Sequence, residues 1–96
     1  MIVENPNDYN FIKFQKSHLS GKKYDAVLKN KKTERLKLVP FGDVNYNQYK
    51  DTTGLGLYTN KNTLDKKRRD LYRKRHQGEL ENKYSSGYFS LRFLWS

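Results

Sequence analysis

The 96-residue chain is long enough for one domain and too short for two, and its 20 Lys plus Arg against 10 Asp plus Glu leave a formal net charge of +10. A pI near 9.8, a mean hydropathy of -1.09 and an apolar fraction of 34% predict a small core and an acidic partner. Aromatic residues at 15% exclude plain disorder, and the absence of cysteine excludes a disulfide framework, a cysteine nucleophile and thiolate zinc sites.

The first ten residues hold Glu4, Asp8 and three Asn without an apolar run, which is unlike a signal peptide. No stretch reaches the ~20 apolar residues of a spanning helix, so a soluble or peripheral protein without a transmembrane segment is expected. Residues 1–22 read as an N-terminal arm, because Pro6 and the Asn-rich start oppose regular structure while Phe11, Ile12 and Phe14 can dock on a surface. Residues 23–96 then form a single compact domain.

That domain opens with a predicted hairpin. Tyr24, Ala26 and Leu28 alternate with Asp25, Val27 and Lys29; Leu36, Leu38 and Pro40 alternate with Arg35, Lys37 and Val39; and Asn30-Lys31-Lys32-Thr33 supplies the turn. Asp43 can cap a short helix with Tyr46 and Tyr49 on one face. Leu55, Leu57 and Tyr58 suggest a loop or brief strand. The segment from Asp65 to His76 is the strongest helix signal: it lacks Gly, Pro and β-branched residues, has Asn62 or Thr63 ahead of it as an N-cap, Asp65 in its first turn and His76 in its last, and is stopped by Gly78. At the end, a helix capped by Ser85 or Ser86 groups Tyr88, Leu91 and Trp95, whereas a strand groups Phe89, Leu91, Phe93 and Trp95. The helix is preferred. The expected class is α+β, an antiparallel hairpin packed with a basic helix and short flanking helices.

The basic helix carries seven cations against Asp65 and Asp70, a net of +5 in twelve residues and half of the chain's excess charge. Lys66, Lys67, Arg69, Arg73 and Lys74 are the candidate polyanion-binding or partner-binding residues. On a helical wheel Arg68 and Arg75 interrupt the face that Leu71 and Tyr72 are expected to pack. Their stems can lie on aromatic surface, with Asp25, Asp43 or Asp51 as carboxylate partners. Tyr24, Tyr46, Tyr49 and Tyr72 fall on packing faces and are expected in the core more than as stacking platforms for bases.

Enzyme chemistry finds little footing. His18 and His76 are far apart and have no carboxylate at ligand spacing, so no metal site is expected. Gly54-Leu-Gly56 and Gly21-Lys22 lack the remaining residues of phosphate loops, and Ser85, Ser86 and Ser90 have no local base. The expectation is a non-enzymatic protein with no catalytic residue, cofactor or small-molecule substrate.

Several motifs occur together in order: Lys23-Tyr-Asp-Ala-Val27, Val39-Pro-Phe-Gly-Asp43 with Tyr46 and Tyr49-Lys-Asp51, Asp65-Lys-Lys-Arg-Arg69 with Tyr72-Arg-Lys-Arg-His76, and Tyr84-Ser-Ser-Gly-Tyr-Phe-Ser90 with Phe93-Leu-Trp95. In this combination the chain resembles a family of small basic proteins of large nucleocytoplasmic DNA viruses, of the phycodnavirus and mimivirus type. The resemblance implies a viral protein found in the virion, and in host cytoplasm or nucleus during infection, and it brings no activity with it. Two expectations follow. In the first, the chain is a minor structural protein, associated with the capsid or particle, that docks on acidic surfaces of other virion proteins through its basic helix and through Phe11, Ile12, Phe14, Phe93, Leu94 and Trp95. In the alternative it binds the phosphate backbone of DNA or RNA without reading sequence and helps package viral DNA. Against docking stands the simpler expectation that both aromatic ends close over the chain's own core.

Overall fold

The two alternating segments and a third strand ahead of them form the sheet, and two helices follow: β1 (Tyr9–Lys16), β2 (Lys22–Asn30), β3 (Leu36–Asp43), α1 (Lys66–His76) and α2 (Ser86–Phe93). They are seen in a computed structural model that describes residues 3–96. The strands form one antiparallel sheet in the order β1-β2-β3, and the class is α+β. Among the described residues no helix is long and apolar enough to cross a membrane.

β1 corrects the reading of residues 1–22 as an arm without regular structure. It pairs with β2 through Phe11↔Leu28 and Phe14↔Ala26, with a bulge between Phe11 and Lys13. The extra residue breaks the period-two pattern and brings two aromatics three positions apart opposite core residues, which conceals the strand from alternation counting. Phe14 is half-buried, its ring 4.7 Å from Phe93 and 5.6 Å from Phe41, while Ile12 at the bulge stays 48% exposed. Even Val3 belongs to the core.

The β2–β3 hairpin is present, but β3 presents the opposite face from the one expected. Ala26 stands opposite Val39 and Tyr24 opposite Phe41, so Val39 and Phe41 are buried and Leu36 is exposed. The cause is loop parity. Asn30 and Arg35 flank a four-residue loop, which pairs even positions with odd ones, and a one-residue difference in register exchanges the faces of a strand. Asn30 holds that loop: its side chain accepts from the Lys32 and Thr33 amides and its carbonyl from Glu34, whose φ of 61° is left-handed.

α2 and the residues after it cover the sheet. Ser85 caps the helix by accepting from the Tyr88 amide at 3.1 Å. The preferred helix is thus the element observed, although its buried residues are Phe89 and Leu91 and Tyr88 is half-buried. Leu94 and Trp95 lie beyond the last turn, buried to 1% and 9% exposure, and Phe93 is half-buried. The C-terminal aromatics are therefore part of this domain's own core, and Phe93, Leu94 and Trp95 are not offered for docking.

Residues 44–64 contain no helix over 43–50. Gln48, fully buried, organises them instead: its amide nitrogen donates to the Tyr58 carbonyl at 3.0 Å and to Asn62 Oδ1 at 2.8 Å, and its backbone forms a bridge with Asn62. Buried polar atoms need such partners, and a helix would have carried Gln48 away from these acceptors. The tail fastens the same segment, since Phe93 O accepts from the Thr52 amide at 2.9 Å and Leu94 O from the Tyr49 amide at 3.0 Å.

Gly42 marks the closest approach of tail and sheet. Its φ is +75°, and a Cβ there would lie 2.8 Å from Leu94 Cδ1. Gly42→Ala is expected to cost about 2 kcal/mol or more through left-handed strain and overpacking. Phe14→Ala is expected to cost about 3 kcal/mol and Ile12→Ala within about 0.5 kcal/mol, a contrast that urea unfolding midpoints would check. Equal effects at positions 12 and 14 would contradict the bulged β1.

Candidate functional site

α1 is the most highly charged element and has no buried residue. Eleven residues of isolated helix are marginal in water, so this helix depends on its attachments to the rest of the domain. Asp65 caps it, accepting from the Lys67 amide at 3.0 Å and the Arg68 amide at 3.2 Å, the role expected of Asn62 or Thr63. Tyr72 stacks on Trp95, with centroids 4.3 Å apart and rings within 8° of parallel, and its hydroxyl meets Ser90 Oγ at 3.3 Å. The Arg69 guanidinium lies 4.8 Å from the centre of the Tyr49 ring, and Arg73 donates to the Trp95 carbonyl at 3.4 Å.

The packing face of α1 is thus Arg69, Tyr72, Arg73 and His76, and the expected division of the arginines is reversed. Arg69 and Arg73, expected to bind a partner, hold the helix on the domain. Arg68 and Arg75, expected to pack, are exposed, and Leu71 between them is 52% exposed. Lys66, Lys67 and Lys74 are exposed as expected. Among the described residues the ion pairs are His18–Asp25 and Arg69–Asp70, so Lys66, Lys67, Arg68, Lys74 and Arg75 have no carboxylate of those residues within pairing distance. The carboxylates expected to receive the arginines are engaged elsewhere: Asp43 accepts from the Asn45 amide, and Asp51 from the Tyr24 hydroxyl and from Thr53.

The exposed Arg68, Leu71 and Arg75 form one wall of a cleft of about 640 Å³ between α1, α2 and the end of the β2–β3 hairpin. Lys22, Lys23 and Asp43 line the hairpin side, and Tyr46 and Asn47 the loop that follows. Tyr72, His76 and Trp95 add aromatic surface, and Ser86 and Ser90 add hydroxyls. Four lysine and arginine side chains face one carboxylate, which makes the cleft electropositive. Tyr46, expected in the core, is 69% exposed at its rim.

Lys23 is buried at the base of this cleft. Its Nζ donates to the Tyr46 carbonyl at 2.7 Å and to Gln48 Oε1 at 2.8 Å, which ties the cleft floor to the loop carrying Tyr46. Burial and then the Lys61 charge lower its pKa to about 8, against the opposing pull of Asp43 and Asp51. It remains mostly cationic at neutral pH. Tyr24, also buried, is raised to about 12 by burial and then by its hydrogen bond to Asp51; burial likewise raises Tyr72.

A second polar cluster sits at the β1–β2 turn. Asp25, fully buried, accepts from Ser17 Oγ at 2.7 Å, from the His18 amide at 3.0 Å and from Gln15 at 3.3 Å, and pairs with His18 Nδ1 at 2.6 Å. His18 therefore does have a carboxylate neighbour, seven residues away and brought close by the turn. Burial pushes the Asp25 carboxyl up, but the hydrogen bonds outweigh it and hold it below its ordinary value. The serine hydroxyl is bound to the carboxylate rather than placed on the imidazole, so the arrangement closes a turn and has no nucleophile–base contact. Among the described residues no group of three or more His, Asp or Glu is disposed to hold a metal ion.

These shifts set the pH dependence of stability. Asp25, lower in the folded protein, contributes stability that is present above its unfolded value near 3.8 and is lost as pH falls through the folded value, and Asp25→Asn is expected to flatten that acid limb. At high pH the unfolded chain holds the Lys23 proton longer than the folded one, so stability rises above about pH 8. From about pH 10 the folded protein retains tyrosine protons that the unfolded chain loses, and stability falls. Urea midpoints across this range are expected to peak near pH 10, with the rise missing in Lys23→Met.

No protein-family model, curated protein or solved structure matches the chain.

Proposed function

We propose that this protein binds nucleic acid through the phosphate backbone, without reading base sequence, and that it helps package viral DNA. The observation that carries the reading is the set of five exposed cations on α1, Lys66, Lys67, Arg68, Lys74 and Arg75, none of them neutralised by a carboxylate of the described residues. Side chains that made a solvated, self-satisfied helix would be interleaved with Asp and Glu, and α1 holds only Asp70, which pairs with Arg69. An eleven-residue helix extends about 16 Å, enough to follow several phosphates of a duplex. The viral setting comes from the resemblance of the motifs, and the lack of a base-reading module in the sequence argues for backbone contacts alone.

A second reading, docking on other particle proteins, keeps one specific support. Phe11 at 38% exposure, Ile12 at 48% and Leu36 at 63% leave apolar surface on the two outer strands of the sheet. The C-terminal half of the expected docking set has gone into the core, and Phe14 is half-buried beside it. Opening particles and digesting their DNA separates the two readings: a packaging protein leaves with the DNA, and retention on the shells supports docking.

In polarisation measurements, binding to unrelated duplexes is expected to be equally tight and to weaken steeply with salt. Replacing Lys66, Lys67 and Lys74 by Ala is expected to lower the slope of log K against log salt by about 0.9 for each phosphate no longer neutralised, with the urea midpoint little changed. Arg69→Ala is expected instead to reduce stability by about 1 kcal/mol, because no guanidinium then lies on the Tyr49 ring. An unaltered salt slope in the triple lysine variant would overturn the phosphate-binding reading.

A further inference from the structure

We infer that the cleft beside α1 holds an unpaired nucleotide of a single strand, with the base on the aromatic surface and the neighbouring phosphates on Arg68 and Arg75. The inference rests on the phosphate-binding reading and adds which form of nucleic acid the site takes.

The first support is the face Arg68, Leu71 and Arg75. A leucine between two arginines stands half exposed in an open cleft, on a helix whose other residues are almost all charged. A ligand that is both planar and anionic satisfies such a face, with the apolar part on Leu71 and the charge on the guanidiniums. The second is a column of rings. Trp95 and Tyr72 stack at 4.3 Å, and Tyr72 and His76 at 4.2 Å; among the described residues no further ring continues the column past His76. Tyr46, 69% exposed at the rim, has no ring partner among the described residues either. Base-aromatic stacking contributes about 1–3 kcal/mol per base and tolerates any sequence, which suits a protein that does not read bases.

Size and charge agree. The cleft, at about 640 Å³, falls within the roughly 300–1,000 Å³ of ligand clefts. Lys22, Lys23, Arg68 and Arg75 outnumber the one lining carboxylate, Asp43. A paired base would have to leave its stack to enter, and that unfavourable step makes an unpaired strand the preferred occupant.

Trp95 is the chain's one tryptophan and lines the cleft, so its emission reports occupancy. The full chain is titrated at fixed salt with oligothymidine, with a blunt duplex and with thymidine monophosphate. Oligothymidine is expected to bind about tenfold more tightly per site than the duplex and to change Trp95 emission. Tyr46→Ala, at a position 69% exposed, is expected to leave the urea midpoint little changed and to reduce the preference for the single strand about fivefold or more. Salt-sensitive duplex binding with no preference for oligothymidine and unchanged emission would overturn the cleft inference and leave the phosphate reading standing. Binding of neither polymer would overturn both. Thymidine monophosphate bound as tightly as the oligomer would make the cleft a site for a free nucleotide and overturn its assignment to a strand.

Discussion

The ring of Phe89 is where the separate parts of this fold meet. It lies 5.6 Å from Phe41 of β3, 5.9 Å from Phe14 of β1 and 5.8 Å from Tyr84 ahead of its own helix. A three-stranded sheet needs a partner layer to be stable, and here the inward residues of the central strand include only Tyr24, Ala26 and Leu28. With 34% apolar residues in all, volume has to come from a few large side chains. Concentrating the core in aromatic rings leaves most lysines and arginines outside it.

That concentration also explains how α1 can be so polar. It is attached by ring faces and guanidinium planes, through Tyr72 on Trp95, Arg69 on Tyr49 and Arg73 on the Trp95 carbonyl, instead of by a buried aliphatic stripe. Arginine can serve both as a fastening and as an anion contact because its plane stacks while its edge donates. One residue step, about 100° around the helix, separates Arg68 from Arg69 and so divides the two uses. Arg69 and Arg73 turn toward the domain, and Arg68 and Arg75 toward the cleft.

The sequence is legible wherever a local signal decides. The class, the basic helix, the Ser85 cap of the last helix and the hairpin around Asn30 all depend on neighbours a few residues apart, although the cap of the basic helix is Asp65 and not Asn62 or Thr63. What escapes depends on distant partners. The bulge masks β1, and the parity of the hairpin loop hides the face of β3. Gln48 and Asn62 are fourteen residues apart, and nothing near either announces their pairing. On α1 the expected packing face holds both Leu71 and Tyr72. The Tyr72 ring packs on Trp95 as expected, and Leu71 does not pack, because the helix turns Arg69 and Arg73 toward the domain beside Tyr72. One signal of the cleft is visible in the sequence: two arginines beside Leu71 make little sense on a buried face, and they mark an open one.

The tail gives the chain an order of assembly. The sheet is complete in sequence by Asp43, and its contacts are local enough to form early. Its apolar face nevertheless stays uncovered until Phe89, Leu91, Leu94 and Trp95 have been synthesised, about fifty residues later at about 5–20 residues per second. During translation the residues of the sheet therefore wait several seconds for the layer that stabilises them. Folding is completed after that layer clears the exit tunnel, and a chain interrupted before Phe89 exposes the surface that favours aggregation.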